Sequence, residues 1–331
     1  MRIGLIGAGA LGGTFAVLLD RAGHDVAVTA RGEQLDTIRE RGLRLEGAYG
    51  DATARLAAAE ALTEPPELAL LAVKAQDAVA AAEQNAAALA GVPVVVVQNG
   101  LQGPQALRQV LPDSPLIGAA SLIAASYLSP GVVTVTAAGT TVLARESATA
   151  AELAAAAAVL GRVVSVTTAE DLAGVQWSKL VVNQLNAAPA VTGLGQQEAL
   201  GSLALTSAIA LAMRETIRVA RADGVHLAGL PALSPGLIRT LERLPLPLAA
   251  RVLRRGVLAR VGAVPNPGST LQSIRRGRPT EIDHLSGAVV AEGRRLGLRA
   301  PVNARIVALV HEIEASGRFL APEDAARRLL P

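Results

Sequence analysis

Apolar residues follow two different rhythms along this chain of 331 residues. In the first half, short apolar runs of strand length recur at Ile3–Ile6, Asp25–Ala30, Leu68–Val73, Val92–Gln98 and Pro115–Leu122. Helix-compatible stretches rich in alanine separate them, the first at Thr14–Leu19. Alternation of strands and helices predicts a parallel, doubly wound sheet. The segment Gly131–Ala144 differs. Val132–Thr136 and Thr140–Leu143 flank Gly139 and suggest a hairpin-like pair that extends the sheet at one edge with antiparallel strands. A helix over Thr149–Leu160, with Thr149 as its N-cap, and a short strand over Val163–Val166 complete this half.

From about Glu170 onward no further strand pattern is found. Helical periodicity covers Leu172–Ala190, Leu203–Asp223, Leu237–Leu258, Thr270–Arg276, Glu281–Leu296 and Val302–Ala315, punctuated by prolines such as Pro245, Pro279 and Pro301. The chain is long enough for two separate cores. The expected architecture is α/β: a Rossmann-type doubly wound sheet over 1–168 and an all-helical domain over 169–331.

The first strand runs directly into Gly7-Ala8-Gly9-Ala10-Leu11-Gly12, and a helix follows. Strand, glycine turn and helix in that order form a dinucleotide-binding fingerprint. Gly7 permits the tight turn, Gly9 leaves room for a pyrophosphate, and Gly12 lets the helix press on the strand. The phosphates would sit on the N–H groups of the helix N-terminus. At the tip of the second strand stands Arg31, with no acidic residue there to hold a ribose 2′-hydroxyl, and Asp25 lies at the wrong end. An arginine at this place accommodates a 2′-phosphate, so the residues predict NADP rather than NAD.

Composition removes several function classes. There is no cysteine, which excludes disulfides and thiolate chemistry, and the four histidines lack metal-ligand spacing, so no metal is expected. Aromatic residues make up 2% of the chain and the formal charge is only +3, which argues against a nucleic-acid surface. The N-terminal apolar run is broken by glycines and does not read as a secretory signal. The apolar run Leu203–Met213 is too short to span a bilayer. A cytoplasmic protein acting on a small molecule is the simplest expectation, and homodimerisation stays open.

A second informative stretch is Trp177-Ser178-Lys179-Leu180-Val181-Val182-Asn183-Gln184-Leu185-Asn186. On a continuous helix, Asn183 lies about 40° from Lys179 and Asn186 about 20° the other way. A lysine in an apolar setting is costly unless its charge is used or paired. Burial lowers its pKa and eases proton donation near neutral pH. The plainer reading is a snorkelling lysine beside amides on a polar seam. Ser269 with Gln272 fits a capping box, and Glu281 fits a favourable charge in a helix's first turn. Lys74 and Asn99 fall at predicted carboxyl ends of strands, where open α/β sheets bind ligands, although Asn99-Gly100 also reads as a plain turn.

Taken together, these motifs resemble the ketopantoate reductase family. The matching pieces are the glycine loop, Arg31, Val73-Lys74-Ala75, Gln98-Asn99-Gly100, Trp177-Ser178-Lys179 with Asn183, Ser269 and Thr280-Glu281-Ile282-Asp283. The resemblance implies an active site in the cleft between the two domains. It also implies NADPH as hydride donor, Lys179 as the proton donor, and Asn183 and Ser269 as substrate contacts. It places Lys74, Asn99 and a backbone group of Ala124 on the cofactor, and Glu281 near the nicotinamide end. Where the family has a second asparagine this chain has Ala187, and Asn186, one residue earlier, is expected to substitute for it. A further family asparagine is Gln197 here. The expected reaction is NADPH-dependent reduction of 2-dehydropantoate to (R)-pantoate, on the route to pantothenate and coenzyme A. The alternatives are reduction of another 2-oxo acid or an imine on the same fold, and a non-catalytic NADP-binding sensor.

Overall fold

The computed structural model describes residues 1–259 and 267–330. The chain divides into two compact units, Met1–Leu172 and Ala173–Pro331.

In the first unit the strands are β1 (Arg2–Ile6), β2 (Asp25–Thr29), β3 (Leu43–Gly47), β4 (Ala52–Ala54), β5 (Ala57–Ala59), β6 (Leu68–Leu71), β7 (Val94–Val97), β8 (Leu116–Ser121), β9 (Ala124–Ser129), β10 (Val132–Ala137), β11 (Thr140–Arg145) and β12 (Ser165–Ala169). Its helices are α1 (Ala10–Arg21), α2 (Gly32–Arg41), α3 (Ala78–Gln84), α4 (Ala86–Leu89), α5 (Gly103–Leu107) and α6 (Ala150–Leu160). Eight strands form one sheet in the order β12-β11-β8-β7-β6-β1-β2-β5. Every pair in it is parallel except β11 against β8. The order reverses beside β1, so β1 and β6 flank the topological switch point.

Side-chain alternation explains why this sheet is covered on both faces. Ile3, Leu5, Leu68, Leu70, Val95 and Val97 belong to one apolar cluster. Ile6, Ala69, Leu71, Val94 and Val96 belong to a second, on the opposite face. The first cluster takes in α1, whose residues Gly12 to Leu19 are all buried. That stretch has no solvent face because the helix packs on β1 and β2 and also on a second, four-stranded sheet of order β4-β3-β10-β9.

The second sheet overturns the hairpin-like reading of residues 131–144. β10 pairs with β9 and β3, whereas β11 pairs with β8 and β12 in the large sheet. A two-residue hairpin turn needs positive φ. Ala138 and Gly139 both lack it, and a Cβ on Gly139 would lie 2.4 Å from the carbonyl carbon of Leu122. The chain therefore crosses from one sheet to the other. Thr149 caps α6 as its sequence predicts, in a reciprocal box with Glu152. The strand expected over Val163–Val166 begins later, at Ser165.

The second unit contains α7 (Leu172–Asn183, begun in the last residue of the first unit), α8 (Ala187–Thr192), α9 (Gln196–Gly201), α10 (Leu203–Ala222), α11 (Pro235–Arg243), α12 (Leu246–Leu258), α13 (Gly268–Arg275), α14 (Ser286–Arg295), α15 (Pro301–Ser316) and α16 (Pro322–Leu329). No strand occurs among its described residues. Helix α10 is the centre, packed by α9, α11, α12, α14, α15 and α16. The buried carboxylate of Glu215 on α10 accepts from the backbone N–H groups of Val302 and Asn303 and from Asn303 Nδ2, each at 2.9 Å. A side chain from one helix thus satisfies the exposed donors at the start of another.

Three helical expectations need correction. Residues 237–258 are two helices, because Pro245 cannot continue α11 and Leu244 before it is extended, with ψ 150°. The helix expected over 281–296 is a 3-10 turn at Ile282–His284 and then α14. The helix expected over 172–190 is interrupted by a 3-10 turn at Gln184–Asn186.

Candidate active site

The glycine loop is built as the fingerprint requires. Gly7 has φ +96°, where a Cβ would strike the Val73 side chain at 2.5 Å. A Cβ on Gly12 would lie 1.9 Å from the Gly7 carbonyl oxygen, so the helix touches the strand there. Nothing lies within 4 Å of a Cβ built on Gly9. The Gly7 N–H donates to Thr29 Oγ1 at 3.1 Å and the Ala8 N–H to the Thr29 carbonyl at 3.0 Å. Gln34 donates to the Ala8 carbonyl at 2.8 Å and accepts from the Gly131 N–H at 2.6 Å, bracing the loop from behind. The N–H groups of Gly9, Ala10 and Leu11 stand at the N-terminal end of α1, where no intrahelical acceptor exists. An open backbone surface ringed by such donors fits a pyrophosphate.

Four neighbouring strand ends add side chains to the same edge of the sheet. Arg31 follows β2, Lys74 follows β6, Asn99 follows β7, and the stretch leading to Ala124 follows β8. The Arg31 guanidinium is exposed and donates to Gln84 Oε1 on α3 at 2.6 Å. Gln98 Nε2 donates to the Val73 carbonyl at 3.0 Å and ties the ends of β6 and β7 together beside Lys74 and Asn99. Ala124 opens β9, and its carbonyl accepts from Thr136 Oγ1 at 3.2 Å.

In the second unit, Lys179 and Asn183 share helix α7 one turn apart. Asn183 is buried, and Lys179 keeps part of its surface open to solvent. Desolvation lowers the Lys179 pKa to about 8 against the opposing pull of the Glu281 carboxylate. An ammonium in this range is a competent proton donor near neutral pH.

Asn186 is reached by a route the sequence did not indicate. It ends the 3-10 turn that follows α7, so its direction is set by that tighter turn and not by a continuous helix. Its Oδ1 accepts from Gln196 Nε2 at 2.8 Å and lies against Gly268. Ser269 is exposed in the first turn of α13. The capping-box reading of Ser269 with Gln272 is overturned, since the helix starts at Gly268 with Pro267 as N-cap and no side chain caps it. Glu281 precedes the Ile282–His284 turn and is not in the first turn of α14.

Two groups around Glu281 escaped sequence reasoning. The Thr280 N–H donates to Glu314 Oε1 at 2.7 Å, and His311 bridges Glu314 and Asp283 at 2.8 and 3.0 Å. The Glu281 segment is thereby pinned on both sides to α15. His311 and Glu314 lie one helical turn apart, but nothing in the sequence links that pair to a distant turn. Among the described residues no group of histidine, aspartate and glutamate side chains could hold a metal ion, and no helix is long and apolar enough to cross a membrane.

Comparison with known proteins identifies the family and the fold. A family model described as ketopantoate reductase PanE/ApbA matches residues 3–147, and its C-terminal counterpart matches residues 171–314. A 2-dehydropantoate 2-reductase of Halobacterium salinarum is 29% identical over 330 residues, covering 96% of this chain and 100% of the relative. The solved PanE/ApbA family ketopantoate reductase of Ralstonia eutropha JMP134 is 30% identical with a TM-score of 0.79, covering 96% of this chain and 99% of that one. A D-mandelate dehydrogenase solved with NADH and anilino(oxo)acetate shares the fold at a TM-score of 0.81 and 21% identity, again covering 96% and 99%. Matched in both halves and over nearly the full length of its relatives, this chain belongs to the ketopantoate reductase PanE/ApbA family of oxidoreductases.

Proposed function

We propose that this enzyme reduces 2-dehydropantoate to (R)-pantoate with NADPH. The observation that carries the proposal is Lys179: a desolvated ammonium with a pKa of about 8, opposed by the Glu281 carboxylate and followed one turn later by Asn183. Gly7, Ala8, Gly9, Ala10, Leu11 and Gly12 would hold the pyrophosphate, and Lys74, Asn99 and Ala124 lie on the same sheet edge to complete the cofactor site. Arg31 supports the choice of NADPH, because an exposed guanidinium at the β2 tip matches a 2′-phosphate. When bound, NADPH supplies a hydride to C2 of the keto acid.

Lys179 gives its proton to the keto oxygen as C2 is reduced, so that the carbonyl becomes an alcohol and no alkoxide has to persist. Asn183, Asn186 and Ser269 orient the keto acid. Glu281 holds charge on Lys179. The setting this reading implies is a cytoplasmic step in pantothenate and coenzyme A synthesis.

A second reading rests on two residues. Ala187 and Gln197 stand where the family carries asparagines, and both positions bear on substrate recognition. They favour a different 2-oxo acid reduced by the same chemistry. Steady-state NADPH oxidation across a panel of 2-oxo acids decides: highest kcat/KM for 2-dehydropantoate supports the first reading, and preference for another acid supports the second.

A further inference from the structure

Asn186 stands at the N-cap of α8, a position at which asparagine usually turns its side chain onto the following backbone N–H groups. Here it makes no such bond. Its carboxamide is turned to α9, where Gln196 Nε2 donates to Asn186 Oδ1 at 2.8 Å. The same oxygen presses on Gly268, where a Cβ would lie 2.5 Å away. Gly268 has φ +72° and is the first residue of α13, next to Ser269.

Both sides of the contact are anchored. The turn carrying Asn186 is fixed from behind by Gln184, which is buried and accepts from Ser286 Oγ at 3.1 Å. The start of α9 is fixed by Glu198, which accepts from the Gly195 N–H at 2.9 Å.

An amide has one acceptor end and one donor end. With its oxygen bonded to Gln196 and packed against Gly268, Asn186 has its NH2 group left to offer a ligand. That group has no other partner among the described residues. From this geometry we propose that Gln196 is a positioning residue that sets the polarity of Asn186, so that Asn186 donates to the substrate carboxylate. The proposal rests on the reading of Asn186 as a substrate contact and adds what selects its ligand. It also accounts for how Asn186 can act with alanine at position 187.

The test is a double-mutant cycle on Gln196 and Asn186 in the full-length enzyme. It reads KM and kcat with the most active 2-oxo acid of the panel and with its methyl ester, which lacks the anionic charge. Gln196→Glu can only accept, so it turns Asn186 and presents the oxygen to the carboxylate. The expected result is a KM for the acid raised about tenfold or more, as for a lost charge-assisted hydrogen bond, with kcat and NADPH affinity little changed. The KM for the ester should move far less. In an Asn186→Ala background the same substitution should add little. Gln196→Leu, which leaves Asn186 unoriented, should give a smaller rise.

An equal rise from Gln196→Glu with or without Asn186 would mean plain charge repulsion and would overturn the proposal. So would an Asn186→Ala variant with raised KM beside a Gln196→Glu variant of normal KM, which would leave Asn186 as a substrate contact but remove Gln196 from its control. A normal KM in Asn186→Ala would defeat the underlying reading itself, as would an enzyme inert toward the whole panel.

Discussion

Lys179 is half-buried on an apolar helix, and loss of hydration outweighs the stabilising charge of Glu281. The keto oxygen needs a proton, so the protonated lysine is the active form in the direction of reduction. Its pKa of about 8 then predicts that kcat with saturating NADPH falls as pH rises past that value. Lys179→Ala should lose about 10²–10⁴-fold in kcat and with it this alkaline limb, while NADPH still binds. Lys179→Arg should not restore the rate, since guanidinium holds its proton too tightly. At Arg31 the expectation concerns binding alone. Arg31→Ala should weaken NADPH by about 10–100-fold and leave NADH nearly unchanged, measured by fluorescence titration. Equal affinity of the wild type for both nucleotides would remove the 2′-phosphate role.

At the level of elements, α15 is held at two places whose chemistry differs. Near its start, Glu215 accepts three N–H bonds in a buried setting. Glu215→Ala strands those donors and should cost about 3 kcal/mol in urea unfolding. Near its end, His311 clamps the Glu281 turn. Its contact with Glu314, and then that with Asp283, raises its pKa. A raised value means the clamp's stabilisation is complete below the unfolded histidine pKa of about 6.5 and is lost as pH rises through the folded value. The difference in Tm between wild type and His311→Ala should therefore be larger at pH 6 than at pH 9.

These elements also show what a sequence can reveal. The strands β1, β6, β7 and β8 were legible because apolar runs buried on both faces leave an unbroken signal. β3, β4, β5 and β9 were not, because β4 and β5 are three-residue pieces built mostly of alanine, β3 and β9 are partly exposed and carry polar residues, and only pairing makes them strands. Periodicity puts Lys179 and Asn183 on one helix face, but it could not foresee the 3-10 turn that redirects Asn186. Nor could it foresee Gln196, whose meaning comes only from a contact across the fold.

On the scale of the whole molecule, the chain carries two compact units, one with the glycine loop and the other with the lysine. Ligand that binds only the native state stabilises it by mass action, about 2.7 kcal/mol at a hundredfold excess over Kd. NADPH should accordingly raise Tm more than NADH at equal concentration. Reduction of a keto acid needs both a hydride and a proton, and the central claim is that Lys179 supplies the second. Single-turnover reduction of 2-dehydropantoate by enzyme preloaded with NADPH, followed by the loss of absorbance of the reduced cofactor, tests it most directly. The account predicts rapid oxidation in the wild type and a rate lower by about 10²–10⁴-fold in Lys179→Ala at equal NADPH occupancy. A near-wild-type rate in that variant would contradict it.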